Sequence, residues 1–237
     1  MISEIKKSLY YLYKLSFRTV LIFWLVYLGI MGLFMILAVT AGGGIEFFGV
    51  NSLPSLIFMC IHGVIFFKDG FPFVIKYGVS RQGFLSTLFI FSIILSSIMT
   101  GLSYLFVRLI NWIVELFSIE NFDFVGLDMG EYVTLTDHNP IFFEWLLHLS
   151  LFILFMLVAS VLYRFGLKIG GVLLAIFPIS MFIRPVAEKA LDLLTYFALF
   201  HDNYTPLSFL ILIVGLSLLL WFSVKKASVV DQISFKA

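Results

Sequence analysis

Charge is what this chain has least of. Only 12% of its 237 residues are Asp, Glu, Lys or Arg, while 62% are hydrophobic. Soluble domains run at roughly a quarter charged and half apolar, so this shortage excludes an ordinary soluble fold. A formal net charge of +1 gives nucleic acid no global attraction. Cysteine is nearly absent, and the lone Cys60 excludes an intrachain disulfide. Catalytic signatures are missing too. There is no His-Glu-x-x-His for zinc and no Gly-x-Ser-x-Gly elbow. Gly42-Gly43-Gly44 follows no strand and leads into no Gly-Lys-Ser/Thr, so it is a loop rather than a phosphate cradle. His62, His138, His148 and His201 are scattered, and Cys60 has no evident partner for nucleophilic catalysis. The chain reads as a non-enzyme with no cofactor of its own.

What the chain does have is long apolar runs, with a mean hydropathy of +1.10. Six of them are expected to span a bilayer: Thr19–Ala41, Asn51–Phe67, Phe84–Val107, Ile141–Tyr163, Gly166–Ile183 and Leu207–Val224. The second is short, about 25 Å by helical rise, and Pro178 is an expected kink in the fifth. Residues 1–18 place Ile2, Ile5, Leu9, Leu12 and Phe17 near one helical face and Ser3, Lys7, Lys14 and Arg18 on the other. With Tyr10, Tyr11 and Tyr13 at headgroup level, they predict an interfacial helix. The segment is not a signal peptide, because the apolar run after it far exceeds the ~7–15 residues of a signal core. Arg108, Asn111 and Glu115, at helical spacing, form a polar stripe that carries the third helix outward. Residues 108–140 and 184–206 are thus expected outside the membrane, the latter as an amphipathic helix. Glu120, Asp123, Asp128, Glu131 and Asp137 lack the EF-hand spacing and read as a solvated acidic loop. His62, at membrane depth, is expected to hydrogen-bond a neighbouring helix. Glu144 and His148, one turn apart, are expected to bond each other rather than bind metal.

The stretch Lys68–Gly83, KDGFPFVIKYGVSRQG, is short, basic and caught between two spans. Asp69-Gly70 is a turn signal, Pro72 suits the first position of a helix, and Gly78 is placed to end it. Phe71, Phe73, Val74 and Ile75 give that short helix an apolar surface larger than a plain hairpin needs, which points to docking. Twelve of the fifteen basic residues fall on the side of the N-terminus, leaving only Arg108, Arg184 and Lys189 opposite. Positive-inside therefore places both termini and the 68–83 loop in the cytoplasm.

Phe66–Leu88 resembles the cytoplasmic loop of type-2 ABC exporter permeases, in which a coupling helix precedes a Ser-Arg pair at the start of the third span. Ser80-Arg81 stand at the matching positions. The order of parts is similar over nearly the whole chain: an interfacial helix, six spans, and amphipathic outer helices before the last span. The chain departs from the family pattern in its acidic-aromatic outer loop and in lacking Glu-x-x-Thr before the Ser-Arg pair. The resemblance implies an all-α membrane protein, a single permease domain over 1–237 in a bacterial cell membrane. It also implies a separately encoded ATPase carrying ATP and magnesium, a second permease chain, and membrane lipid around the pair. Phe71, Pro72, Phe73, Ile75, Lys76, Tyr77, Ser80 and Arg81 would then couple to the ATPase. Implied substrates are amphipathic, antimicrobial or toxin peptides such as phenol-soluble modulins, or lipids and drugs. A non-transporting membrane partner or assembly protein and an ion-coupled carrier are the competing readings.

Overall fold

The computed structural model describes residues 2–40, 47–119, 121–125, 139–198, 204–225 and 227. The elements run α1 (Ile2–Thr40), β1 (Phe47–Val50), α2 (Ser52–Lys76), α3 (Arg81–Leu116), β2 (Phe122–Val125), α4 (Pro140–Ser180), α5 (Arg184–Thr195) and α6 (Pro206–Lys225). Among the described residues, five helices, α1, α2, α3, α4 and α6, are long and apolar enough to cross a membrane. The chain is a mostly helical membrane protein, with one small addition to the all-α expectation. β1 and β2 pair in parallel, Phe47 opposite Phe122 and Val50 opposite Val125.

Three boundaries differ from the sequence reading. First, the expected interfacial helix and first span are one helix. At 39 residues, α1 is about 58 Å long, well beyond a ~30 Å hydrocarbon core. Its first turns, with Lys6, Lys7, Lys14 and Arg18, are therefore the part outside the apolar core. Second, the expected second span and the coupling helix are also one helix, the 25-residue α2, with Asp69-Gly70 and Pro72 inside it. The second span is thus longer than the 25 Å read from its apolar run. Third, the fourth and fifth expected spans both lie in α4, broken at Gly166 (φ 76°, ψ 166°). A Cβ on Gly170 would come within 3.1 Å of Leu162 Cα. Residues eight apart in a straight helix are about 12 Å apart, so the chain doubles back at Gly166. The half after the break, 167–180, reaches only about 21 Å and falls short of a full crossing by length. Pro178 lies inside that half, away from the break.

The bundle has two ends. At the basal end lie the start of α1, the α2–α3 turn, the Gly166 reversal and the end of α6. The β1–β2 pair lies at the distal end. The main core joins α1, α2, α3, α4 and α6 through fully buried Leu12, Phe66, Phe67, Phe71, Phe84, Phe152, Tyr163 and Leu220. Close approach of α2 to α4 depends on Gly63, where a Cβ would sit 2.8 Å from Phe152 O. A second cluster packs Tyr27, Met31 and Met35 of α1 against Phe106 and Ile110 of α3 and Phe122 and Phe124 of β2. By contrast, α5 buries no residue.

Candidate functional site

At the basal end the Ser80-Arg81 pair ties three helices together. Gly78, in left-handed backbone (φ 82°), ends α2: Val79 N–H reaches back to Val74 O (3.3 Å) and Gly78 N–H to Ile75 O (3.0 Å). Ser80 then caps α3, its Oγ accepting from Gly83 N–H at 3.1 Å. That hydroxyl donates to Glu4 Oε2 at 2.8 Å, and Ser80 N–H donates to the same oxygen at 3.1 Å. A carboxylate at a helix N-terminus also meets the positive end of the helix dipole. Arg81 Nη1 donates to Lys225 O at 2.6 Å, and Arg164 Nη1 to Phe222 O at 3.3 Å. Both arginines thus reach carbonyls in the last turn of α6, where positive charge is favoured. Arg81, placed in the coupling set by the resemblance, gives its hydrogen bond to this carbonyl within the chain.

Above this clasp lies an aromatic surface. Phe73 stacks on Tyr11 of α1 with centroids 3.9 Å apart, and Tyr77 leans on Phe73 at 4.5 Å. Tyr77 is 74% exposed and Phe73 37%. Lys76 is exposed beside them, and Pro72 and Ile75 are half-buried. Phe71, expected as an exposed anchor, is fully buried. It packs on Phe84 at 5.2 Å, Phe67 at 5.4 Å and Tyr163 at 5.5 Å. The docking surface read from sequence therefore loses Phe71 and the buried Val74, and keeps Phe73, Lys76 and Tyr77.

The distal half holds a buried polar cluster drawn from α2, α3 and α4. Asn51 Nδ2 donates to Ser103 O (3.0 Å) and Oγ (2.6 Å). Ser103 Oγ donates to Glu144 Oε1 at 2.6 Å. His148 lies between Ser55 Oγ on Nε2 (3.0 Å) and Thr100 Oγ1 on Nδ1 (2.9 Å). Ser55 directs its own proton to Ser52 O at 2.8 Å. Nε2 must then donate and Nδ1 accept, which is the proton inventory of a neutral imidazole. Both ring nitrogens are occupied by hydroxyls of α2 and α3, so the expected Glu144–His148 side-chain pair gives way to partners on other helices. His62 engages a neighbouring helix through one ring nitrogen, while its Nδ1 is buried without a hydrogen-bond partner among the described residues. Its Nε2 meets Ser16 Oγ of α1 at 2.8 Å, and its ring stacks on Phe58 at 5.2 Å.

α3 runs unbroken through the polar stripe to Leu116, and Ser118 just beyond it is in left-handed backbone (φ 50°). Arg108 there turns to Tyr104, donating to its hydroxyl at 2.6 Å and lying 5.1 Å over its ring. Asn111 is half-buried and Glu115 exposed. Asp123 is part of β2, whereas Gly42–Gly44, Glu120, Asp128, Glu131, Asp137, His138 and His201 lie outside the described residues. Among the described residues no group of three or more His, Cys, Asp or Glu could hold a metal ion.

No family model, no curated protein and no solved structure matches the chain. The site therefore rests on its own geometry.

Sequence reasoning missed Glu4 and most of the distal cluster. One signal for the latter was present. Ser92, Ser96, Thr100 and Ser103 recur at spacings of four, four and three along α3, a helical stripe of small hydroxyls, and all four are buried. Glu4 carried no such signal, because its partner lies 76 positions away.

Proposed function

We propose that this chain is the membrane subunit of an ATP-driven exporter, working with a separately encoded ATPase at its basal end. The observation that carries the reading is the exposed Tyr77–Phe73–Tyr11 stack, flanked by Lys76 and mounted on the Glu4–Ser80–Arg81–Lys225 clasp. An exposed aromatic cluster on a helix end is the composition of an interface anchor. The clasp links that end to α1, α3 and α6, so a push on the α2–α3 turn is transmitted to three helices at once. Bound ATP and magnesium belong to the partner. A second permease chain completes the path, both termini face the cytoplasm of a bacterial cell, and the substrate class is an amphipathic peptide or lipid. This reading moves the anchor from Phe71 to Tyr77 and Phe73.

The test replaces Tyr77 with a photo-crosslinking residue in cells. A nucleotide-binding subunit in the adduct, released by Phe73→Ala, supports the proposal. Adducts with lipid alone, in cells that still export, overturn it and favour a non-transporting partner or a carrier.

A further inference from the structure

The distal cluster contains two buried oxygen atoms, Asn51 Oδ1 and Ser52 Oγ, that no group among the described residues satisfies. Both residues are fully buried. Buried polar atoms without partners are rare in native interiors and call for an explanation. The orientation of the Asn51 amide is fixed, because the Ser103 carbonyl that faces it can only accept a hydrogen bond. Oδ1 therefore cannot turn to α3, where Nδ2 already holds Ser103. One bond further on, Ser103 Oγ donates to Glu144 Oε1 at 2.6 Å, the length of a charge-assisted O–H···O⁻ contact. Amide oxygen, hydroxyl oxygen and carboxylate are thus strung together within a few hydrogen-bond lengths, deep among apolar helices.

We propose that Asn51, Ser52, Ser103 and Glu144 form a binding site for one small monovalent cation of the sodium class. The donor set is all oxygen, which selects a hard cation over a transition metal. It carries one carboxylate, which matches a single positive charge; divalent sites use more. The N-terminal end of α2, where Ser52 sits, carries partial positive charge that opposes any cation. The Glu144 carboxylate offsets it, and the balance sets a modest affinity. His148 is a positioning residue: through Ser55 it holds the Ser52 carbonyl and so the first turn of α2. Arg108, five residues beyond Ser103, keeps its guanidinium on Tyr104. The site needs no second chain, so it stands or falls separately from the ATPase partnership.

The experiment is thermal unfolding of the purified full chain in zwitterionic nanodiscs, with sodium chloride replacing choline chloride at constant ionic strength. Expected is a saturable rise of about 2–4 °C once sodium exceeds its dissociation constant several-fold. Radioactive sodium should be retained at one ion per chain. Ser52→Ala removes a hydroxyl that bonds nothing among the described residues, so it should fold normally and lose the sodium-dependent rise. Glu144→Gln should lose it as well. Equal unfolding in sodium and choline, or a rise that survives both substitutions, would overturn the site and leave the two oxygens to hydration.

Discussion

Ser80 holds the carboxylate of Glu4 with both its hydroxyl and its backbone N–H, 2.8 and 3.1 Å from one oxygen. These two bonds, the hydroxyl first, keep the Glu4 carboxyl below its usual 4.5. The folded value is lowered, so the contribution to stability is present above the unfolded value and is lost as pH falls through the folded one. Wild type should therefore be more stable than Glu4→Gln at neutral pH, and the gap should close as the pH drops below about 4.5. Thermal unfolding of both proteins across that range checks it. A gap independent of pH would mean that Glu4 acts by shape alone.

Phe71 and Tyr77 should separate stability from association. Phe71 is buried against Phe67, Phe84 and Tyr163, so Phe71→Ala should cost about 3–5 kcal/mol in unfolding free energy. Tyr77→Ala, at an exposed site, should stay within about 0.5 kcal/mol while weakening the proposed association with an ATPase. Denaturant titration in detergent measures both. Similar costs at the two sites would remove the assignment of Phe71 to the core.

That contrast also shows where the sequence could be read and where it could not. The existence of the apolar helices, the Gly78 stop, the extension of α3 through the polar stripe and the start of the amphipathic α5 are local patterns and are observed, whereas the helix ends differ where neighbouring segments merge. Asp69-Gly70 misled because glycine there serves packing rather than turning. A Cβ on Gly70 would lie 3.1 Å from Leu12 Cδ2, so the glycine admits α1 to the face of α2. The same contact explains why the first turns of α1 belong to a continuous helix, since Leu12 is fully buried in the main core. The polar cluster was out of reach because its members come from three helices, with Asn51 and Ser103 lying 52 positions apart. Periodicity reports which face a residue occupies, not which helix that face meets.

Gly63 should be intolerant of a side chain. A methyl group at this position would meet Phe152 O at 2.8 Å, with Phe155 Cβ at 3.3 Å behind it. Neither is the flexible end of a side chain, so α2 and α4 must move apart. Gly63→Ala should destabilise by about 1–3 kcal/mol despite alanine's better helix propensity. Gly101 is also helical and has open space around its Cβ. There the same change should be neutral or stabilising, and denaturation midpoints of the two variants decide it.

Ser80 and Ser118 flank α3, whose 36 residues extend about 54 Å. That exceeds a hydrocarbon core of ~30 Å, so the two serines should face opposite sides of the membrane. In a Cys60→Ser background, a cysteine at Ser118 should react with an impermeant thiol reagent added to intact cells. A cysteine at Ser80 should react only after permeabilisation. Reaction of the Ser80 site from outside would invert the orientation and with it the basal docking surface.

The last prediction concerns the two hydroxyls that hold His148. Thr100 donates to Nδ1, and the ring is fully buried. Thr100→Val preserves the shape and leaves a buried acceptor without a donor, at a cost of about 1–3 kcal/mol. Ser92 lies on the same stripe but bonds only Leu88 O of its own helix, at 2.7 Å. That carbonyl already accepts a helical N–H, so Ser92→Ala should cost less than about 0.5 kcal/mol. The Nδ1 resonance should also shift in Thr100→Val, because its lone pair loses the Thr100 hydroxyl while Nε2–H still donates to Ser55. Nitrogen NMR of labelled histidine reads that change directly, and a purely structural role for Thr100 would leave it unmoved. Equal costs at Thr100 and Ser92, with the Nδ1 resonance unchanged, would show that His148 is held by packing and not by its hydroxyl partners.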